Sequence, residues 1–543
     1  MFDLLITNAT IIDGSGSPGF RGDLGIVKGK IVMVRPQGEH RCNPEERSTP
    51  PAETVIDATD RVVCPGFIDL HSHADWGLIK DPAVESSLLM GVTTEIGGNC
   101  GTSMAPLSES AAHRIKSLVG GQAPDWRTLD EFLNRVEKMG PGNNCGVFVG
   151  QGTIRGSVMG MEKRFPTRSE IDRMIELVQE SMEAGAFGIS TGRGYIPGCF
   201  GGFQEVVELT EVVGQHMGLY TSHIADQWAN VHRATWEVVE IGLRTGAPVQ
   251  VAHQKVVGKD NWGRASEVLA ILEEGWDMGV DIMADVYPYP YSAIISLEQV
   301  LPVDVKGDSS QQTLDRLKTQ DAEGLIRRAF TDEPTYLTAG LGRYGVVQCS
   351  QTEQYQGLDL DEIALELGTD IPGAVHRLLM QNELQVKVAG IMDEDDVSKI
   401  VAHPLAMIGS DSTCRSYSRD SQEESGWSTV HPREYGTFPR VLGKYARDEK
   451  LLTLEQAVHK MTGLPAERIE LPDRGQIARG FWADLVIFDP DTVRDQATVA
   501  QPCLPPEGIE YVLVNGVVAV KNNEVTNTRA GHVLRDTQGR VLY

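Results

Sequence analysis

Eight short apolar runs, each ending in a polar, glycine-rich or histidine-bearing turn, limit what this chain can fold into. In order they are CPGFIDLHSHAD, VTTEIGGNC, CGVFVGQGT, AFGISTGRGY, LYTSHIAD, PVQVAHQK, DIMADVYPYP and LAMIGSDS. Helical stretches lie among them. In TRSEIDRMIELVQESMEAG, Ile171, Met174, Ile175, Val178 and Met182 fall at helical spacing, Thr167 and Glu170 form a capping box, and Gly185 ends the helix. A second box, Thr453 with Gln456, opens TLEQAVHKM. Strands alternating with helices predict a parallel α/β fold, and eight of them match a TIM-like (β/α)8 barrel, which builds its site at the carboxyl ends of its strands.

The two ends of the chain read differently. DLLITNATIIDG, GDLGIVKGKIVMV and TVIDATDRVV near the start, and ADLVIFDP and IEYVLVNGVVAVKNNEV near the finish, are short strands with Gly/Asp turns. They predict one small β-sandwich built from residues 1–63 and 471–543, around a barrel over 64–470. A long stretch at about 300–390, between the seventh and eighth runs, reads as an inserted lid or subdomain over the barrel mouth. The segment 36–53, proline-bearing and of mixed charge, reads as a solvent loop.

The strand ends carry the chemistry. Side chains at i and i+2 of a strand point to the same side, so His71 and His73 present two imidazoles to one spot. Cys100 closes the second run, His223 the fifth, His253 the sixth and Asp411 the eighth. Each alone has an ordinary explanation, as a hydrogen-bonded scaffold residue or a small buried thiol. Together they are six residues of zinc-ligand type converging on one end of a barrel, which predicts a metal site. Lys255, two residues after His253, shares its face of the strand and either assists the substrate or the attacking water, or is solvated.

Composition narrows the function classes. With 76 acidic against 49 basic residues the net charge is −27, which argues against nucleic acid or an anionic membrane as the main partner. No apolar stretch approaches bilayer length, and the start has no basic region followed by an apolar core. The eight cysteines are scattered without a CxxC pair, which predicts reduced thiols and a cytoplasmic location. Oligomeric state is left open.

The histidine pair, the two later histidines and the late aspartate resemble the metal-dependent amidohydrolase superfamily. PGFIDLHSHAD, GVTTEIGGNCGTSMAPL, GAFGISTGRGYIPG, HPREYGTFPRVLGKYARD and KMTGLPAERI are similar to its N-acyl-D-amino-acid deacylase (D-aminoacylase) branch, with matching stretches over nearly the whole chain. The resemblance implies a zinc hydrolase that cleaves a small N-acyl-D-amino acid. It implies a tight Cys100–His223–His253 site and a weaker second site at His71, His73 and Asp411, with Asp411 as general base and acid. It also implies a substrate pocket holding Arg433 for the carboxylate, Tyr195, Tyr287 and, on the insertion, Met392. Binuclear relatives commonly bridge two metals with a carboxylated lysine on strand four; here no lysine stands between Lys163 and Lys255, and Cys100 takes over that ligand role.

The chain departs from that branch at Gln151, where many relatives have histidine, and at Ala225, where arginine is frequent. The stretch between Asp411 and His431, with Arg415 and Arg419, is longer than usual. These changes leave the preferred side chain open among D-Glu, D-Asp and neutral D-residues. The alternatives are a dihydropyrimidinase- or dihydroorotase-like enzyme, an isoaspartyl-dipeptidase-like enzyme, or a non-catalytic barrel scaffold.

Overall fold

The computed structural model describes residues 1–37, 51–116, 123–307, 309–332, 338, 340–416 and 429–536. Most of the 36–53 loop and most of the Asp411–His431 link, Arg419 included, lie outside the described residues.

Eight parallel strands form the barrel: Phe67–Asp69, Val92–Gly97, Asn144–Val147 continued by Val149–Gly150, Gly188–Gly192, Leu219–His223, Val249–Val251, Ile282–Val286 and Ala406–Ile408. They are called barrel strands one to eight below. Strand three is interrupted at Phe148, whose N–H still donates to Gly97 O at 2.9 Å. Closure between strands one and eight is made just past their ends. Ser72 and Ser412 form a parallel bridge, the Asp411 N–H donates to His71 O at 2.7 Å, and the His73 N–H donates to Ser412 O at 2.6 Å. The seam of the barrel therefore runs through the histidine pair and the late aspartate.

The outer helices follow their sequence signals. Arg168–Glu183 carries the Thr167–Glu170 capping box and buries Ile171, Met174, Val178 and Met182, with Leu177 and Ser181 in the same stripe and Ile175 only half-buried. Gly185 follows at φ +100°, a left-handed position that suits glycine. Leu454–Met461 has the second capping box.

Both termini enter one sheet of nine strands, five from Phe2 to Pro65 and four from Leu485 to Val525. The halves join where Val62–Pro65 pairs antiparallel with Leu485–Phe488. Leu4, Ile6, Leu24, Ile26, Leu485 and Ile487 sit at strand period two and share an apolar cluster of their own. The layer expected from the termini is thus hydrogen-bonded as a single continuous sheet.

Between strands seven and eight, Ile295–Ser296, Gly345–Cys349 and Val386–Ala389 form an antiparallel sheet backed by helices. Leu297, Val346, Leu378, Leu379 and Val388 are fully buried in its separate core. The insert returns to the barrel through Ile391 and Met392, which bridge Tyr291 and Val257. This places it against the loop that follows strand six.

Candidate metal centre

The GGNCG turn after strand two shows how local sequence builds the site. At Gly98, φ is +74° and a Cβ would stand 2.0 Å from Phe148 O; at Gly101, φ is +75° and a Cβ would stand 2.3 Å from Gly192 N. Only glycine fits either place. Asn99 Nδ2 donates to Leu70 O, Ser72 O and Ile96 O at 3.0–3.2 Å, tying this turn to the end of strand one. Between these anchors Cys100 is held at φ +52°, His253 at +35° and Asp411 at +54°. Three of the six candidate ligands occupy backbone conformations that a side-chain-bearing residue rarely adopts, and such strain persists where the surroundings over-determine it.

All six residues converge. Cys100 Sγ lies 3.4 Å from His253 Nε2, 3.7 Å from His223 Nδ1 and 3.5 Å from His71 Nε2. His223 Nδ1 and His253 Nε2 are 2.7 Å apart. Asp411 Oδ1 lies 3.2 Å from His73 Nε2 and 3.7 Å from His71 Nε2. The donor atoms fall into two overlapping sets, Cys100–His223–His253 and His71–His73–Cys100–Asp411, each spanning no more than 4.8 Å, with Cys100 common to both. Strand one itself stops at Asp69, so His71 and His73 project from the closing seam beyond it.

The electrostatics of the site follow from these close approaches. Burial pushes the Cys100 thiol up, but the imidazoles of His253 and His71 outweigh it and hold the thiol well below its ordinary range. Burial alone would push Asp411 up; Arg433, with Nη1 at 2.6 Å from Oδ2, holds it well below the usual carboxylate range. Burial opposes protonation of His73, yet Asp411 raises it to about 10. His71 is likewise raised, against burial, by Asp285. His253 is driven by burial to about 3 and stays neutral, as a ligand must. A thiolate and imidazoles in this arrangement fit zinc's preferred donors.

Further residues support the ligands. Asp285, fully buried on strand seven, places Oδ1 2.8 Å from His71 Nδ1 and accepts from the His253 N–H at 2.7 Å, while Oδ2 accepts from Gln250 Nε2 at 2.5 Å. Gln227 Nε2 lies 3.0 Å from His253 Nδ1. Neither residue was among the sequence candidates; the available signal was the position of Asp285 in DVYPY, at the end of strand seven.

The substrate candidates divide into two groups. Lys255 Nζ donates to Tyr287 Oη at 2.5 Å, and Lys255 and Arg433 lie 4.5 and 4.8 Å from the centre of the Tyr287 ring. All three are buried, so Lys255 is not a solvated lysine. Among the described residues Arg433 Nε has no hydrogen-bond partner. Tyr195 stands on the other side, its ring 4.4 Å from that of His223. Met392 is buried where the insert meets Val257. Gln151 faces away from the ligands, donating to buried Glu205 at 2.6 Å beside the Arg155–Glu205 ion pair. Arg415 packs behind the Asp411 turn, with Nε donating to Thr413 Oγ1 at 3.0 Å.

An eight-stranded parallel barrel gathering a thiol, four imidazoles and a carboxylate at the carboxyl end of its strands has the plan of a metalloenzyme. The chain belongs to the Amidohydrolase family, whose family model matches residues 54–210 and 363–520. It is 34% identical over 538 residues to a D-aminoacylase of Alcaligenes xylosoxydans xylosoxydans, covering 99% of this chain and 98% of the relative. It is also 34% identical to the N-acyl-D-glutamate deacylase of that organism, over 98% and 96% of the two chains. A crystal structure of N-acyl-D-glutamate deacylase from Bordetella bronchiseptica, complexed with zinc and a phosphonate mimic of the tetrahedral intermediate, matches with TM-score 0.76 and 33% identity. The match covers 98% of this chain and 99% of that one. Among the described residues no helix is long and apolar enough to cross a membrane, and the seven cysteines there are free thiols.

Proposed function

We propose that this chain hydrolyses N-acyl-D-amino acids to a carboxylate and a free D-amino acid, with zinc held tightly by Cys100, His223 and His253. His71, His73 and Asp411 provide a second, weaker position. The carrying observation is the joint approach of Cys100 Sγ to His223 and His253 within 3.7 Å, in a chain similar along its length to deacylases of this class. Zinc in such a site lowers the pKa of water from about 15.7 towards about 7 and polarises a carbonyl.

The chain's own groups do the rest. Asp411 is a carboxylate between His73 and Arg433, and takes the water proton and passes it to the departing amine; positioned acid–base work of this kind is worth about 10²–10⁴ in rate. Arg433, Lys255 and Tyr287 form a cationic, hydrogen-bonding pocket for the substrate α-carboxylate, in which a guanidinium fork supplies bidentate geometry. Tyr195 covers His223, and Met392 brings the insert to the edge of the pocket. Strand four, GISTG, offers no lysine, which separates this centre from lysine-bridged cyclic-amide hydrolases.

The test is a panel of N-acetyl-D- and N-acetyl-L-amino acids with hydantoin and dihydroorotate, run on protein of measured zinc content beside Asp411→Asn. Turnover confined to D-substrates, lost by at least a hundredfold in the zinc-replete variant, supports the reading. Turnover of the cyclic amides alone, or a variant that matches wild type, overturns it.

A further inference from the structure

One cavity at the barrel mouth is lined by none of the carboxylate-pocket residues Arg433, Lys255 and Tyr287. It has a volume of about 150 Å³ and opens beside Cys100, walled by the turns and helices that follow strands two, three and four. Resting on the deacylase reading, we propose that this cavity receives the acyl chain of the substrate, and that it selects an apolar acyl group of about six carbons over acetyl.

Its walls suit such a group. Leu107, Ala111, Ile115, Met161 and Ile196 line it. Two of the polar side chains among the walls are engaged elsewhere: Ser103 Oγ donates to Ala105 O at 2.5 Å, and Thr153 Oγ1 donates to Ser103 O at 3.1 Å and accepts from Ser103 N at 2.8 Å. Among the described residues no Asp, Glu, Lys, Arg or His lines it. A charged moiety there would lose its hydration without a partner, whereas an alkyl or phenyl group would lose nothing.

Position points the same way. Cys100 is both a ligand candidate and part of the wall, and Tyr195, whose ring covers His223, is another part. The cavity therefore adjoins the turn that carries one ligand candidate and the tyrosine beside another. The carboxylate pocket is built from residues that follow strands six, seven and eight, across the barrel from strands two, three and four. A substrate anchored by its carboxylate at Arg433, with its amide over the centre, directs its acyl chain at this opening. Size sets the chain length: an apolar cavity of about 150 Å³ takes a benzene-sized guest. Met161 and Ile196, 53% and 55% exposed, extend the apolar surface to the rim.

The experiment compares N-acetyl, N-butyryl, N-hexanoyl and N-phenylacetyl derivatives of one D-amino acid on the zinc-loaded enzyme. A buried methylene is worth about fourfold in kcat/KM, so hexanoyl should exceed acetyl at least tenfold. Ala111→Leu, which fills the cavity, should cut the hexanoyl-to-acetyl ratio at least tenfold, and Met161→Ala at the rim should cut it severalfold. Zinc content and thermal melting establish that each variant is folded; should Ala111→Leu fail to fold, Met161→Ala decides. Acetyl turnover with no gain on lengthening, or an unchanged ratio in folded variants, overturns the acyl-pocket assignment alone. No turnover of any D-substrate overturns the deacylase reading and this inference with it.

Discussion

Asp285→Asn is the sharpest probe of how the centre is held together. One carboxylate sits against the His71 ring, the His253 backbone and the Gln250 side chain, at 2.8, 2.7 and 2.5 Å. His71 belongs to one candidate ligand set and His253 to the other, so a single buried charge orients both. Asparagine keeps the shape and removes the charge. Hydrogen bonds to charged groups contribute about 1.5–3 kcal/mol against about 0.5–1.5 for neutral ones, so the exchange costs about 1–2 kcal/mol of ordering. At about 1.4 kcal/mol per tenfold, this is about a 5–30-fold loss of zinc affinity, overlapping the loss of about 10–100-fold found when partners behind a metal ligand are removed. An amide that turns its NH₂ towards His71 Nδ1 also forces the other tautomer and takes the Nε2 lone pair away from the metal. Chelator competition on freshly loaded protein measures the affinity, and thermal melting confirms the fold. Wild-type zinc affinity together with wild-type kcat/KM would refute the reasoning. Asp285→Ala should be worse, since it leaves the His71 and Gln250 side chains and the His253 N–H facing a void.

Two further outcomes follow from the same geometry. Arg433→Lys should raise KM for acyl-D-amino acids tenfold or more, because an ammonium cannot copy the fork; steady-state kinetics read this, and an unchanged KM removes Arg433 from the pocket. The two metal positions should also separate with pH. His73 is raised to about 10, so a metal entering there must displace a proton at neutral pH, and occupancy weakens as pH falls from 10. His253 is held at about 3 and offers no such competition. Raising pH from 6 to 9 should strengthen the second equivalent of zinc at least tenfold more than the first, as read by calorimetric titration; equal shifts would count against the assignment.

The eight strand ends and the candidate ligands they carry were legible in the sequence because both are local facts. A strand's apolar run, its polar end and the helix caps at Thr167 and Thr453 are written in consecutive residues, and a parallel barrel necessarily collects its carboxyl ends at one mouth. Six residues scattered from His71 to Asp411 could therefore be assigned to one centre before any distance was known. What stands behind them depends on which strands adjoin. Asp285 reads as an ordinary strand residue until strand seven lies beside strand six and across from the seam of strand one. Gln151 reads only as a departure that leaves the preferred substrate side chain open until the fold ties it to Glu205. The left-handed backbone of Cys100, His253 and Asp411 and the cavity beside Cys100 are likewise products of packing, because no short segment specifies how neighbouring turns meet. Sequence determined which chemical groups reach the mouth of this barrel; tertiary structure alone decided how they are oriented, charged and spaced, since each of those properties is set by partners distant along the chain.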